Sequence, residues 1–567
     1  MQKVAGHPIL GVPSYDLPLM HGFPMIFSVG LLCTAALTPA KTQTQDEPAK
    51  NVAPDTAVSY RELYRPQFHF TPPRNWINDP NGLVHYQGEY HLFYQHNPFG
   101  DKWGHMSWGH AVSKDLLHWQ HLPVAIPEDP SGFMIFSGTV VVDSDNTSRL
   151  SGSKNPNDKS CLVAVYTANF EGGKTQKQHL AYSNDRGRTW TQYAGNPVLD
   201  VGKKDFRDPK IFRYKNRWIM VVALPTEHKV SFYESANLLK WEHLSDFGPE
   251  GKIDEIWECP DLYELPVTAD KNNAKKWVLQ LSTQSSMQYF IGDFDGKTFT
   301  NDNPKEKILR LDHGPDLYAA IVYNNLPASA NGHISVGWMN SWNYADGPTS
   351  PWRGAMTVPR VHTLKSLPEG IRLIQRPVSE LNKLRTNTIS VKNVTLRQAN
   401  DMIRKQKVRS KTAEIVIELE PNNAVEVGVL VRKGKTEETR IGFQAIDSVL
   451  FVDRTKSGVV DFNPKFSGRY AARLAPTEGR IKLQILVDWS SVEVFANDGL
   501  EAITCQVFPQ PTSDGIELYA DKDDVKVLSL EISELKSVWE NYGKATDKPA
   551  KKPKAKPGKY KKPPASH

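Results

Sequence analysis

The sequence predicts an all-β protein, a five-bladed β-propeller followed by a C-terminal β-sandwich. Residues 60–373 show short strand patterns separated by turn residues, with no long segment at helical apolar spacing, and residues 386–540 show cleaner apolar–polar alternation. The 567 residues are too many for one ordinary domain. Hydrophobic residues make up 39% and aromatic residues 10%, which excludes a wholly disordered chain.

Two hairpins and a repeated turn predict the propeller. Strand patterns at 83–86 and 90–94 flank Gln87-Gly88, and those at 211–214 and 218–222 flank Lys215-Asn216. A polar turn that ends in an aromatic residue recurs at 113–119, 183–190 and 235–241, with a degenerate copy at 295–299. A period of about 50 to 70 residues, all β, is typical of propeller blades, and about 310 residues would make about five.

The C-terminal region is predicted to be a two-sheet sandwich. Alternating strand patterns lie at 413–419, 425–431, 482–487 and 491–495, and turn signals such as Asn497-Asp498-Gly499 separate them. No catalytic cluster stands out on the polar face of this region.

The two ends of the chain are predicted to lie outside the folded domains. Residues 1–45 are interpreted as a signal peptide with an extension, because the apolar run 24–37 has the length of a signal h-region. We expect a secreted or periplasmic protein; a lipid anchor on Cys33 is the alternative, which the preceding Leu32 disfavours. Residues 544–567 contain nine Lys and one Asp with many Pro, which predicts a disordered tail.

Charge and cysteine usage exclude some classes of protein. The formal net charge of the whole chain is +6, and the tail alone carries +8, so the rest of the chain carries about −2. This nearly neutral charge gives no argument for a nucleic-acid partner. Four cysteines are too few for a disulfide-built scaffold. We expect Cys161, Cys259 and Cys505 to be buried free thiols.

Three carboxylates near prolines are the candidate catalytic groups. Asp79 and Asp208 each precede a proline and Glu258 lies two positions before one, and the gaps between them suit three blades that converge on an axis. Amides around Asp79 are expected to lower its carboxyl pKa, and Arg207 is expected to keep Asp208 ionised. Trp257 beside Glu258 favours the protonated form that a general acid needs. A carboxyl group kept ionised and a second one kept protonated are the pair that glycoside hydrolysis needs.

Aromatic and amide residues around these acids suggest a sugar site, because sugar rings have apolar faces and hydroxyl rims. Packing between blades is the alternative role for the tryptophans. No metal-ligand spacing stands out, and His105 and His110 are interpreted as packing or sugar contacts, so we expect no metal and no cofactor. The two clusters are Gln95, His96, Asn97, Trp103, Trp108 and His110, and Trp338, Trp342 and Trp352.

Several motifs in order resemble those of glycoside hydrolase family 32, whose members include invertases, inulinases and levanases. They are residues 75–82, 93–95, 106–110, 136–138, 206–209 and 258–260, with 487–495 similar to the family's sandwich module. The resemblance covers roughly residues 60–540. It implies a five-bladed propeller with the site in its central funnel, and a retaining mechanism.

The same resemblance implies a role for each acid. Asp79 would be the nucleophile, Glu258 the acid and base, and Asp208 the group that binds fructose hydroxyls and stabilises the transition state. Ile77 departs from the Met that is common in the family, with little expected effect. The family's sugar contacts fall on Asn78, Gln95, Trp103, Ser137, Arg207 and Trp338.

Residues 98–110, 338–344 and 348–356 are similar to exo-acting levanases and inulinases, which implies release of terminal fructose from β-fructans and cleavage of sucrose. Fructan or sucrose is therefore the expected partner, with no nucleic acid and no membrane span. The alternatives are a sucrose-preferring invertase, a transfructosylase and a non-catalytic fructan-binding protein. An arabinan-cleaving relative is disfavoured by the 75–82 motif.

Overall fold

The computed structural model describes residues 58–153, 159–170, 173–268, 274–327, 330 and 332–540. The predicted signal peptide, Cys33 and the basic tail lie outside these residues. Within the described residues the elements are β-strands, two 3-10 turns (Pro225–Glu227 and Ser379–Leu384) and the helix α1, Leu396–Lys405. No helix in this part of the chain has the length and apolarity needed to cross a membrane.

The N-terminal region contains strands β1 to β22. Their bounds are β1 Asn75–Tyr86, β2 Glu89–Asn97, β3 Ser107–Ser113, β4 Trp119–Ile126, β5 Met134–Asp143, β6 Cys161–Phe170, β7 Thr175–Ser183, β8 Thr191–Gln192, β9 Arg207–Tyr214, β10 Arg217–Leu224, β11 Lys229–Ser235, β12 Glu242–Phe247, β13 Trp257–Thr268, β14 Lys275–Thr283, β15 Ser286–Phe294, β16 Phe299–Asn301, β17 Leu309–Arg310, β18 Tyr318–Val322, β19 His333–Trp338, β20 Trp352–Arg353, β21 Arg360–Leu367 and β22 Gly370–Pro377.

Among the described residues these strands form four sheets. Three are antiparallel units with the orders β1-β2-β3-β4, β5-β6-β7-β8 and β9-β10-β11-β12, the first extended by a short parallel contact with β20. The fourth, nine-stranded sheet joins the strands β13 to β17 to the strands β18, β19, β21 and β22. That junction is a parallel pairing of two residues, Val267 with Leu364 and Thr268 with Lys365. The innermost strands contact one another in cyclic order, β1–β5–β9–β13–β18–β1.

The repeated turn occupies the same place in successive sheets, between the third and fourth strands. It joins β3 to β4, β7 to β8 and β11 to β12, and the degenerate copy joins β15 to β16. In the first copy the Ser113 hydroxyl accepts a hydrogen bond from the Asp115 amide, which stabilises the turn. Both predicted hairpins are also confirmed, since β1 pairs with β2 and β9 pairs with β10. Gln87 (φ 47°), Gly88 (φ 81°) and Lys215 (φ 54°) adopt the left-handed conformation that such tight turns need.

The C-terminal region contains β23 to β33 in a six-stranded sheet, β23-β33-β24-β29-β30-β31, and a five-stranded sheet, β28-β27-β26-β25-β32. Side chains from both sheets share one buried core, as expected for a sandwich. The bounds are β23 Arg385–Thr395, β24 Ala413–Glu420, β25 Glu426–Lys433, β26 Thr439–Gln444, β27 Val449–Asp453, β28 Arg469–Arg473, β29 Ile481–Asp488, β30 Ser491–Ala496, β31 Glu501–Gln506, β32 Gly515–Ala520 and β33 Lys526–Leu535.

Helix α1 precedes β24 and was not expected from the alternation of this region. Its N-terminus is a capping box, in which Thr395 caps the Gln398 amide and the Gln398 side chain accepts from the Thr395 amide. The Thr-x-x-Gln spacing was therefore the available signal. Cys161, Cys259 and Cys505 are buried free thiols, as predicted. The domain limits at 373 and 386 stay a prediction, with β22 ending at Pro377 and β23 beginning at Arg385.

A buried charge network joins the two regions. Arg360 of β21 donates to Asp312 at 2.9 Å and to Glu493 of β30. The two ring nitrogens of His69 contact Glu493 at 2.7 Å and Asp488 at 2.8 Å. The five residues of this network, His69, Asp312, Arg360, Asp488 and Glu493, are named the junction network below.

Candidate active site

Each of the three candidate acids lies at an irregularity in an innermost strand. The pairing of β1 with β2 shifts between Ile77 and Pro80, and that of β13 with β14 shifts between Glu258 and Asp261. A proline has no N–H for the ladder, so it belongs at such a bulge, and a bulge redirects the neighbouring side chains. Asp208, at the bulge of β9, has a φ of 63°. The proline steps in the sequence are therefore the local cause of the acids' orientation.

These bulges open on one cavity of about 450 Å³. It brings together the three acids and five of the six predicted sugar contacts; Trp338 alone does not line it. Trp338 is fully buried behind Trp342, with ring centroids 4.8 Å apart. The lining residues are Asn78, Asp79, Gln95, Trp103, Met134, Phe136, Ser137, Asn169, Gly173, Gln176, Lys204, Asp205, Arg207, Asp208, Glu258 and Trp342.

Asp79 is held by two side-chain donors. The Ser137 hydroxyl donates to Oδ2 at 2.7 Å and Asn78 Nδ2 donates to Oδ1 at 3.0 Å. Burial nevertheless raises the pKa of the Asp79 carboxyl, with a further rise from the charge of Glu258, while the two hydrogen bonds lower it. The expectation of a lowered pKa was therefore wrong, because desolvation outweighs the amide and hydroxyl donors.

Arg207 makes its hydrogen bonds to Glu258 and Asp205 and not to Asp208, the acid that follows it in sequence. Its Nε donates to Glu258 Oε1 at 3.0 Å and its Nη1 to Asp205 at 3.0 Å. Asp208 Oδ2 instead accepts from the Cys259 amide at 3.0 Å. Burial and the charge of Glu258 raise the pKa of Asp208 to about 7, since the nearby guanidinium lowers it less. The expectation that Arg207 keeps Asp208 fully ionised was wrong.

Glu258 has polar neighbours on both oxygens. In addition to Arg207, the Tyr318 hydroxyl donates to Oε2. Trp257 lies in a separate core with Phe247 and Phe290, and its indole donates to the Lys252 carbonyl. The apolar wall expected from Trp257 is therefore absent from the lining described for this cavity. Tyr318 was missed by sequence reasoning, because it is 60 residues from Glu258 and carries no motif of its own.

Trp342 forms an aromatic wall of the cavity and is in contact with further rings. Trp342 contacts Trp76 at a centroid distance of 6.2 Å and Tyr318 at 6.4 Å. Trp76 in turn donates from its indole to Asn78 Oδ1 at 2.8 Å, so the wall also supports a donor to Asp79. Trp103 also lines the cavity and makes a T-shaped contact with Phe136, with ring centroids 6.2 Å apart. Such faces suit the apolar side of a sugar ring.

Other residues of the two sequence clusters serve packing. Trp108 is fully buried in the core of the first two sheets, and Trp352 lies under the Arg65 guanidinium at 3.6 Å. His110 stacks on Phe93 in the interior. In the part of the chain that the structure describes, no group of three or more His, Cys, Asp or Glu residues is arranged to hold a metal ion.

Two family models match most of this chain. The family model described as the glycosyl hydrolases family 32 N-terminal domain matches residues 69–377, and that of the family 32 C terminal matches residues 380–534. The chain belongs to glycoside hydrolase family 32. It is therefore a glycoside hydrolase, and the resemblance noted in the sequence motifs is confirmed.

The relatives of this family 32 chain are similar over most of its length. A levanase of Bacillus subtilis (strain 168) is 48% identical over 495 residues, covering 85% of this chain and 72% of the levanase. An extracellular exo-inulinase of Aspergillus awamori is 36% identical over 527 residues, covering 85% and 96%.

Solved structures of the family share the fold. The crystal structure of the A. awamori exo-inulinase superposes with a TM-score of 0.77 at 34% identity, covering 85% of this chain and all of that chain. A β-fructofuranosidase from Schwanniomyces occidentalis complexed with fructosyl-erythritol gives a TM-score of 0.75 at 31% identity, covering 85% and 99%.

Proposed function

We propose that this glycoside hydrolase releases terminal β-D-fructofuranosyl residues from fructans such as levan and inulin, and cleaves sucrose, by double displacement. One observation carries the proposal: three acids from three different innermost strands open on a single cavity with an aromatic wall. The relatives named levanase and exo-inulinase support fructose as the sugar that this cavity accepts.

Asp79 is proposed as the nucleophile of the first step. Its carboxylate attacks the anomeric carbon, the bond from that carbon to the leaving oxygen breaks, and a covalent fructosyl-enzyme forms. Glu258 transfers its proton to the leaving oxygen in the same step. The donors Ser137 and Asn78 hold the attacking carboxylate in one orientation, which lowers the entropy cost of the attack.

The second step reverses these roles. Water attacks the anomeric carbon, Glu258 accepts a proton from the water, and the bond to Asp79 breaks to free fructose. Arg207 and Tyr318, each on one oxygen of Glu258, hold the carboxyl group in place through both steps. Asp208 is proposed to bind fructose hydroxyls, since among the described residues no hydrogen-bond donor contacts its Oδ1.

We further propose that the N-terminal region is a five-bladed propeller. The cyclic contacts of β1, β5, β9, β13 and β18 support five units around an axis, with the nine-stranded sheet counted as two blades joined by a two-residue pairing. The shared position of the repeated turn supports the same count. The acids then lie at one end of the central channel.

Product analysis tests the function and separates it from its alternatives. The purified protein is incubated with levan, with inulin and with sucrose, and the products are separated by chromatography. We expect free fructose as the only small product from both polymers, and fructose with glucose from sucrose. Longer oligomers would indicate a transfructosylase, cleavage of sucrose alone an invertase, and binding without turnover a non-catalytic protein.

We also propose that the protein is exported to the periplasm or the medium. The apolar run 24–37 supports this, as does the word extracellular in the names of the exo-inulinases that it resembles. N-terminal sequencing of the protein recovered from each cell fraction and from the medium tests it. Recovery from the cytoplasm alone with an intact N-terminus would contradict export.

A further inference from the structure

A buried arginine of the sandwich makes a closed polar triangle with two residues of the catalytic region. Arg454 Nη1 donates to Asp316 Oδ2 at 2.6 Å, and Arg454 Nη2 donates to the Tyr344 hydroxyl at 2.8 Å. That hydroxyl donates to Asp316 Oδ1 at 2.8 Å, which closes the triangle. All three side chains are buried, and the guanidinium also lies 3.7 Å from the Phe466 ring centroid.

Both partners of Arg454 belong to segments that reach the cavity. Tyr344 follows Trp342, the wall residue, by two positions, and its amide donates to the Ser341 carbonyl at 3.1 Å. Trp342 is thus enclosed in a tight turn whose end is fixed by the Tyr344 hydroxyl. Asp316 precedes Tyr318, the donor to Glu258, by two positions.

A second contact connects the same part of the sandwich with the same turn. Asn463 Nδ2 donates to the Asn343 carbonyl at 3.2 Å, and Lys465 Nζ donates to the Asn343 side chain at 3.0 Å. The Phe466 ring packs edge-on against Tyr344, with centroids 5.2 Å apart. The turn that carries Trp342 is therefore held by the sandwich from both its backbone and its side chains.

The chemistry of this triangle suits positioning better than stabilisation. A buried ion pair is weak evidence for stability, because desolvation of the two charges offsets much of their attraction. A guanidinium, however, is a rigid planar fork whose N–H donors point in fixed directions, whereas a lysine ammonium is a compact charge on a flexible stem. Misplacement of a binding group by about 1 Å is enough to cost roughly 100-fold in rate.

We propose that Arg454 is a positioning residue of the active site: through Tyr344 it sets the place of the Trp342 wall against which the substrate binds. The sandwich domain then contributes to substrate binding without touching the substrate. This inference rests on the proposed function, since it assigns Trp342 to the binding of a sugar chain.

The test compares Arg454→Lys and Tyr344→Phe with a matched control, Arg432→Lys. Arg432 is an equally buried sandwich arginine, but it donates to the carbonyls of Asp488, Trp489, Gln510 and Ser513, all within the C-terminal region. For each variant we measure Tm, the folded fraction, and kcat and KM on levan, inulin and sucrose per folded molecule.

We expect kcat/KM of Arg454→Lys to fall about 10- to 100-fold, mostly through a higher KM. Tyr344→Phe, which removes one oxygen and keeps the ring, should show the same pattern at about tenfold. Arg432→Lys should lose a similar amount of Tm while its kcat/KM stays within about threefold of the wild type. In a Trp342→Ala background, Arg454→Lys should cost less than about threefold further, because the two act through one element.

Equal kinetic losses in Arg454→Lys and Arg432→Lys would overturn the inference, as would a loss confined to kcat or full additivity with Trp342→Ala. If Arg454→Lys does not fold, Tyr344→Phe decides by the same criteria. A wild-type protein that hydrolyses none of the three substrates would instead refute the proposed function, so the two failures are distinguishable.

Discussion

The candidate active site and the junction network both bury carboxylates, but they supply cations to them differently. In the junction network, Glu493 meets both Arg360 and His69, and its pKa falls to about 2 while that of His69 rises to about 9. In the cavity, Arg207 lies against Glu258, and the pKa of Asp208 rises to about 7. The same burial thus gives opposite pKa shifts.

The difference shows which region favours stability and which favours chemistry. Buried carboxylates in direct contact with cations are costly to separate from them and give no reactive group. Buried acids without a cation in direct contact lower stability and have shifted carboxyl pKa values. Shifted pKa values are a usual property of catalytic sites. The four predictions below test this contrast, beginning with the largest expected effect.

Asp79→Asn should lose at least 100- to 10,000-fold in turnover, because an amide cannot act as the nucleophile. Its stability should equal or exceed that of the wild type, because burial raises the pKa of Asp79 and the charged form is costly to hold. Kinetics on levan and sucrose, with Tm from calorimetry, measure both effects. Near-wild-type hydrolysis by the folded variant would refute the mechanism.

Glu493→Gln should have the opposite profile. Glu493→Gln removes one charged acceptor from Arg360 and one from His69, while Arg360 keeps Asp312 and His69 keeps Asp488. The free energy of unfolding should therefore fall, by less than the about 3–5 kcal/mol that a fully unpaired buried charge costs. Turnover per folded molecule should remain near the wild-type value, since Glu493 lies away from the cavity lining. Denaturant unfolding combined with active-site kinetics checks this. A large loss of turnover in fully folded protein would contradict the view that the junction network contributes to stability and not to catalysis.

The contribution of His69 should depend on pH. Its pKa is about 9 in the folded protein against an ordinary 6.5, so the stabilisation is complete below pH 6.5 and disappears as pH rises through 9. The difference in unfolding free energy between the wild type and His69→Gln should therefore shrink by on the order of 3 kcal/mol between pH 6 and pH 10. A difference that is constant across this range would exclude a charged His69.

Ser137→Ala should have the smallest effect of the four. It removes the 2.7 Å hydrogen bond that lowers the pKa of Asp79, so that pKa should rise further. The acid limb of the kcat/KM profile should then move to higher pH, with a loss of about tenfold at the acid side. Ser131→Ala, an exposed hydroxyl outside the cavity lining, is the control. An unmoved acid limb would remove Ser137 from the proposed role.

Much of the site was predictable because its signals are local. Proline steps mark the bulges that orient Asp79, Asp208 and Glu258, and these positions follow from backbone chemistry within a few residues. The hairpin turns and the repeated polar turn are equally local. For this reason the hairpin pairings of β1 with β2 and of β9 with β10 were predictable from the chain.

The partners of the acids were not predictable in the same way. Adjacent residues of a strand face different directions, so Arg207 turns to Glu258 and Trp257 turns to another core, although each lies beside a different acid in sequence. Trp342 lines the cavity and Trp338 lies behind it, a choice made by the turn that Tyr344 closes.

By itself, the sequence determined the all-β class, the family and the three acids, because strand periodicity, turns and proline steps act over a few residues. Only the tertiary structure decided the raised pKa values of Asp79 and Asp208, the donor Tyr318 and the contact of Arg454 with the Trp342 turn. Burial and long-range pairing set these properties, and both depend on residues brought together from 50 or more positions apart.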